Sequence, residues 1–161
     1  MRIILLALSL FLMGAVNPAA PTIQLDSTKG DYVSLADYKG KVVVVSWWAT
    51  WCKPCIMELK FLNKLAKKYP NDLVVIAIAT DGPETQAAIN STVHSKRLDS
   101  LIVLLDTTGD TNPTGMLPYS IYVDREGSQC HDQRGFVSGD EPAITKKVLA
   151  LINKKNFTNP K

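Results

Sequence analysis

The sequence predicts a three-layer α/β sandwich, and three observations carry that prediction. Two near-continuous runs rich in β-branched residues, VVVVSWW at Val42–Trp48 and LVVIAIA at Leu73–Ala79, suit strands buried on both faces, as in the centre of a parallel sheet. Between them, residues 52–69 repeat their apolar side chains at helical spacing, which makes a βαβ unit with parallel strands. A β-hairpin pattern and a last amphipathic stretch follow late in the chain.

At 161 residues the chain is one ordinary domain, long enough to bury a core without disulfide scaffolding. A composition 46% hydrophobic and 20% charged excludes a disordered chain. The balance of 18 basic against 15 acidic residues is too even for a nucleic-acid partner. The clearest basic cluster, Lys60, Lys64, Lys67 and Lys68, falls on one predicted helix face, where solvation accounts for it.

The elements are justified in chain order. Residues 1–20 carry one early cation, Arg2, then an apolar run over residues 3–16, then small residues ending at Ala19 and Ala20, the pattern of a secretory signal. The domain is therefore expected over residues 21–161, in the periplasm or another extracytoplasmic space where a disulfide persists. The apolar run is short for a bilayer span of about 20 residues. An uncleaved anchor tethering the domain to a membrane is the other reading of this segment, and with no cysteine near its end the lipid-modified type of signal is disfavoured.

Residues 22–41 alternate short apolar pairs with turns at Lys29-Gly30 and Lys39-Gly40, which predicts an N-terminal hairpin or two short strands. After the first buried strand, a helix over residues 52–69 tolerates Pro54 in its first turn and stops at Pro70-Asn71. It gathers Cys55, Leu59, Leu62, Leu65, Ala66 and Tyr69 on one side, and Lys53 with the other lysines opposite. Residues 83–96 read as a weaker helix and 101–105 as a short strand. Residues 119–124 and 128–134 flank Arg125-Glu126-Gly127 as a hairpin, and Asp140 is placed to cap a final helix to about residue 155, with Ile144, Val148, Leu151 and Ile152 inward.

The stretch WWATWCKPC places Cys52 and Cys55 three residues apart, directly after a buried strand and at the start of a helix. The pair has three possible uses: a structural disulfide, half of a metal site, or a redox couple. Positions i and i+3 in a first helical turn are close enough to bridge. A sulfur at the N-cap faces free backbone N–H groups and the positive end of the helix dipole, which favour thiolate, and Lys53 acts in the same direction. Cys55, one turn inside, is expected to be more buried and slower to ionise. This asymmetry is what disulfide exchange needs, with Cys52 as nucleophile and Cys55 as resolving residue. A purely structural bridge closes too small a loop to constrain the unfolded chain much. A zinc site needs four ligands and finds only Cys130, His131 and His94 besides the pair, so no metal site is expected, although copper handling by the pair alone stays open.

Glu58, three residues after Cys55, falls inside the apolar stripe and has no Lys or Arg at i±3 or i±4 to pair with. Burial would raise its pKa toward neutrality, suiting a base that takes the proton of Cys55. The plainer alternative is a carboxylate that reaches solvent at the sheet edge.

With these residues in hand the chain resembles the TlpA/ResA-like thiol-disulfide oxidoreductases, the extracytoplasmic branch of the thioredoxin superfamily. The resemblance runs from VSLADYKGKVVVVSWWATWCKPC and the following Glu58, through LVVIAIATD, to GMLPYSIYVDREG and the last helix. It implies a thioredoxin-like α/β/α sandwich with a central mixed sheet and an N-terminal hairpin extension. It also implies a cis Pro118 against the Cys52–Cys55 redox disulfide, the backbone of Leu117 pairing with an extended substrate segment, and an apolar rim of Trp48, Trp51 and Met116. Glu58 matches an acidic residue that many members carry. Many thioredoxins instead carry a buried Asp six positions before the first cysteine, and here that position is Ser46. The chain departs from the family at Lys60, where members often have a proline that bends the helix, and at Leu117, where threonine is commoner before the cis proline.

The candidate catalytic residues are thus Cys52, Cys55 and Glu58, with no cofactor. Expected partners are proteins with disulfides or thiols, such as haem- or copper-binding proteins, and a membrane electron donor. The chain is expected to be a monomer. Reduction of chosen partners leads; a general oxidant or isomerase, and a copper-binding module without turnover, are the alternatives. Cys130 makes the cysteine count odd. It is expected as a half-buried, inert thiol on the second hairpin strand, with His131 pointing to the opposite face.

Overall fold

The computed structural model describes residues 17–82 and 85–154. The apolar segment 1–16, Pro83 at the start of the weaker helix and the end of the last helix at residue 155 lie outside the described residues. In chain order the elements are β1 (Gln24–Asp26), β2 (Tyr32–Ser34), a 3-10 turn (Leu35–Tyr38), β3 (Val42–Trp48), α1 (Lys53–Lys68), β4 (Leu73–Ala79), α2 (Gln86–Ser95), β5 (Ile102–Leu105), β6 (Tyr119–Val123), β7 (Gln129–Arg134) and α3 (Glu141–Asn153).

Five strands form one mixed sheet in the order β5-β4-β3-β6-β7. β3 pairs in parallel with β4, and β4 with β5, as the crossover helices require. β6 runs antiparallel to β3 and to β7. All seven residues of β3 and all five of β6 are buried, because helices cover one face of these strands and the N-terminal region the other.

Alternation along the strands sorts the core into two halves. Val42, Val44 and Trp48 of β3 join Leu59 and Leu62 of α1, Ile89 of α2 and Ile144 of α3 in one cluster. Val43, Val45 and Trp47 face the other way, onto Ile23 and Val33. The far layer among the described residues is therefore the β1–β2 hairpin and the 3-10 turn, not an α-helix. Ser34 caps that turn by accepting the Ala36 N–H, while Asp37 accepts the Ser34 N–H in return.

Both edges of the sheet are met at one point by the N-terminal stretch. Ser27 bridges to Leu104, and the Thr28 N–H donates to the Val103 carbonyl at 2.9 Å along the β5 edge. Ala19 bridges to Ser128, and the Gln129 N–H donates to the Pro18 carbonyl at 2.9 Å along the β7 edge. Residues 17–20, expected to precede the domain, are thus hydrogen-bonded to it.

Two local expectations are corrected. Asp140 stands at the N-cap of α3, but its carboxylate accepts from the Val137 N–H at 2.9 Å and not from the helix. A bulge also interrupts the β6–β7 register, pairing Tyr122 with His131 and Val123 with Gln129 and leaving Cys130 as the extra residue. Strict alternation fails there. Cys130 packs against the helix-side cluster, and the His131 ring lies edge-on to Tyr122 of that same cluster, 6.3 Å between centroids.

Candidate active site

The end of β3 delivers WATWC to the start of α1. Asp81, just beyond β4, fixes this turn: its carboxylate accepts the Thr50 N–H at 2.9 and 3.1 Å and the Thr50 hydroxyl. Cys52 is the N-cap residue of α1 with extended backbone, and Pro54 sits within the first turn, where its missing N–H costs nothing. Cys52 and Cys55 are joined as a disulfide with Cα atoms 5.3 Å apart, and the Cys55 N–H donates to the Cys52 sulfur at 3.3 Å. Cys52 keeps 5% exposure and Cys55 none, the expected asymmetry on a small scale.

One turn further along α1, Glu58 is completely buried. It does not escape to solvent. Its carboxylate accepts from the Ser46 hydroxyl at 2.8 Å and from the Ser120 hydroxyl at 3.0 and 3.1 Å. Ser46 and Ser120 stand directly opposite each other in the β3–β6 ladder. Burial pushes the Glu58 pKa up from 4.5 to about 7, against the pull of the two serine hydroxyls; Asp140 adds to the rise and Lys147 opposes it. Burial, with the Glu58 charge nearby, also pushes the Tyr122 hydroxyl up, and the Lys147 ammonium lies 5.2 Å from that ring.

Leu117-Pro118 is a cis peptide at the entry to β6. The loop before it is organised by short polar side chains. Asp106 is buried and accepts from Thr108, Gly109 and Thr111, while the Trp47 indole donates to the Thr111 hydroxyl at 2.9 Å. Asn112 accepts from Thr114 and Gly115 and donates to the Met116 carbonyl at 3.0 Å. On the other side of Pro118, its carbonyl accepts the Gly135 N–H at 2.7 Å, in a backbone whose positive φ at Gly135 favours glycine.

Of the residues expected to bind substrate, Trp51 is 72% exposed and Met116 is exposed, while Leu117 is half-buried and Pro118 buried. Trp48 is corrected. As the last residue of β3 it faces the helix side and is fully enclosed, with its indole N–H lacking a hydrogen-bond partner among the described residues. Sequence reasoning missed Asp81 and the role of Ser120. It also missed Asn63, buried on α1 and bonded to the Arg97 carbonyl and the Ser100 N–H, because loop partners leave no periodic signal.

Cys130 lies apart from this site, beside the β6–β7 turn. Its thiol meets the Asp124 carboxylate at 3.4 Å and the Asn17 amide at 3.3 Å, and burial together with Asp124 pushes its pKa up. Among the described residues there is no group of three or more His, Cys, Asp or Glu placed to hold a metal ion, and no helix is long and apolar enough to cross a membrane.

A cysteine pair at a helix start after a buried strand, with a cis proline before a neighbouring antiparallel strand, defines a thioredoxin-like thiol-disulfide oxidoreductase. Over residues 16–156 the chain matches the AhpC/TSA family model. It is 34% identical over 123 residues to the thiol-disulfide oxidoreductase ResA of Bacillus thuringiensis subsp. konkukian, covering 74% of this chain and 70% of that protein. A Chlorobium tepidum structure assigned as the thiol:disulfide interchange protein DsbE superposes with a TM-score of 0.78 at 26% identity, covering 84% of this chain and 96% of that one. The exposed lipoprotein thioredoxin Etrx1 of Streptococcus pneumoniae superposes at 0.68 with 27% identity, covering 81% of this chain and all of that one. The chain belongs to the AhpC/TSA family, as a ResA-like thiol-disulfide oxidoreductase.

Proposed function

We propose that this oxidoreductase works outside the cytoplasm as a reductant of disulfides in chosen protein partners, receiving its electrons from a membrane donor. The observation that carries the reading is the order of three groups along α1: Cys52 at the helix N-cap with 5% exposure, Cys55 fully enclosed, and a buried carboxyl, Glu58, one turn beyond. In the reduced protein the Cys52 thiolate attacks a partner disulfide, forming a mixed disulfide and releasing one partner thiolate. Cys55 then gives its proton to Glu58 and attacks the Cys52 sulfur. The mixed disulfide breaks, the second partner thiolate leaves, and the Cys52–Cys55 disulfide forms. The partner gains two electrons and the pair loses them.

Trp51, Met116, Leu117 and cis Pro118 are the docking edge in this reading, supported by the exposure of Trp51 and Met116 and by the cis Leu117-Pro118 peptide. The secretory pattern of residues 1–20 supports the location, with cleavage to free a domain over 21–161 or retention as a membrane tether. Haem- or copper-binding proteins are the partner class that the family resemblance favours.

The test is the reduction potential of the Cys52–Cys55 pair, by equilibration in thiol buffers and mass analysis of trapped thiols. A value near that of thioredoxin, about −270 mV, supports a reductant, whereas one near about −120 mV makes the protein an oxidant and reverses the proposed direction.

A further inference from the structure

We propose that Ser46 and Ser120 act as a positioning pair for the exchange reaction: their hydroxyls, set side by side by the β3–β6 register, hold the Glu58 carboxyl and keep it hydrogen-bonded whether or not it carries a proton. This rests on the reading of Glu58 as the acceptor of the Cys55 proton.

Each serine breaks the pattern of its own strand. Ser46 is the one polar residue in VVVVSWW, and all seven positions of that strand are buried. Ser120 sits in YSIYV, where all five are buried. A hydroxyl at such a position is costly unless hydrogen-bonded, and an alanine would fit there without that cost. The two exceptions fall opposite each other in the ladder, and both donate to the same fully buried carboxylate. Local rules broken at two facing positions with one shared partner mark a site, not a packing accident.

Hydroxyl chemistry suits the task. An ionised carboxylate only accepts, whereas a protonated one must also donate, and a serine hydroxyl rotates to serve either need. A lysine or arginine at these positions would lock the ionised form. Two alanines would leave a buried carboxylate unpaired. The other charged or titratable groups facing Glu58 are Asp140 at the N-cap of α3 and Lys147 within it, of opposite sign, and Tyr122 of β6. The serines are the groups that hydrogen-bond it among the described residues. Ser120 also lies two residues after Pro118, and Ser46 six before Cys52, so the clamp ties the carboxyl to both strands that carry the site.

The experiment uses the full chain, reduced, and reacted with 5,5′-dithiobis(2-nitrobenzoate). The first release of chromophore reports attack by Cys52, and the second reports Cys55 resolving the mixed disulfide. The pH profile of each phase is measured for the parent, Ser46→Ala, Ser120→Ala, Ser120→Thr, Glu58→Gln, and each alanine variant combined with Glu58→Gln. Loss of a hydrogen bond to the charged form should move the second-phase midpoint upward by about one pH unit or more in each alanine variant, leaving the first phase in place. Ser120→Thr, which keeps the hydroxyl, should hold the parent midpoint, and in the Glu58→Gln background removing a serine should move nothing further. If Glu58→Gln alters the second phase while the alanine variants keep the parent midpoint, or if they shift equally with and without Glu58, the serines only pack and the proposal is overturned. If Glu58→Gln itself leaves the second phase unchanged, the Glu58 reading fails first and takes the positioning pair with it.

Discussion

Replacing Glu58 by glutamine should make the oxidised protein more stable in neutral solution, by an amount that grows with pH. In the unfolded chain the carboxyl ionises around its ordinary 4.5, whereas in the folded protein burial holds it protonated up to about 7. Between those values the folded state binds a proton that the unfolded state has lost, so the stability contributed by Glu58 is complete below 4.5 and drains away as pH rises to about 7. At 1.36 kcal/mol per pH unit, the gap from 4.5 to about 7 corresponds to about 3 kcal/mol. Glutamine can keep hydrogen bonds to Ser46 and Ser120 and has no such loss. The carboxylates held below their usual range, Asp99, Asp106 and Asp124, contribute in the opposite direction but cancel between the two proteins. Urea unfolding of both oxidised proteins from about pH 4 to about pH 8 should show the glutamine variant gaining on the parent by about 3 kcal/mol, then a plateau. A difference that stays flat over that range would mean Glu58 titrates as an ordinary carboxylate, and the inference from its burial would be refuted.

Two further outcomes follow from the site and its surroundings. Cys55→Ser should abolish multiple turnover yet accumulate a mixed disulfide through Cys52, visible as a mass adduct with a disulfide substrate, whereas Cys52→Ser should form none; a Cys52→Ser protein that captured partners equally would reverse the assigned roles. A chain begun at Pro21 should react faster with a maleimide at Cys130 and lose about 1–2 kcal/mol relative to one begun at Asn17, since it lacks the hydrogen bonds of residues 17–20 to Gly127, Gln129 and Cys130. Equal labelling and stability would show that those contacts do not persist in solution.

Much of this arrangement is legible in the sequence because burial on both faces leaves a mark in composition. The run at Val42–Trp48 admits no amphipathic alternative, and Glu58 stands out as the lone carboxylate within the apolar stripe of α1. What stays hidden depends on partners distant in sequence. That Ser46 meets Ser120 requires the antiparallel β3–β6 register, and that Thr50 is held by Asp81 requires knowing where β4 ends. Trp48 and Trp51 look alike in WWATWC, yet one is the last strand residue, turned under the helices, and the other lies in the turn. The bulge at Cys130 undid an inference from strict alternation, because one extra residue breaks the period on which that inference rests.

The N-terminal stretch that touches both sheet edges bears on the order in which the chain acquires its structure. It runs from the β7 edge at Ala19 to the β5 edge at Ser27, so it is made well before the strands it meets. Asn17 and Cys130 are separated by 113 positions, and the Ala19–Ser128 bridge joins parts of the chain almost as distant. Contacts of such long sequence separation form late and slowly. During vectorial synthesis, β3, α1 and β4 can assemble as a local unit while β6, which will pair with β3, is still absent, and the flanking backbone is left unpaired until the last third of the chain arrives. The N-terminal stretch is thus present but unpaired while the sheet is built, so the incomplete chain, not the folded protein, is the form that presents unpaired strand edges.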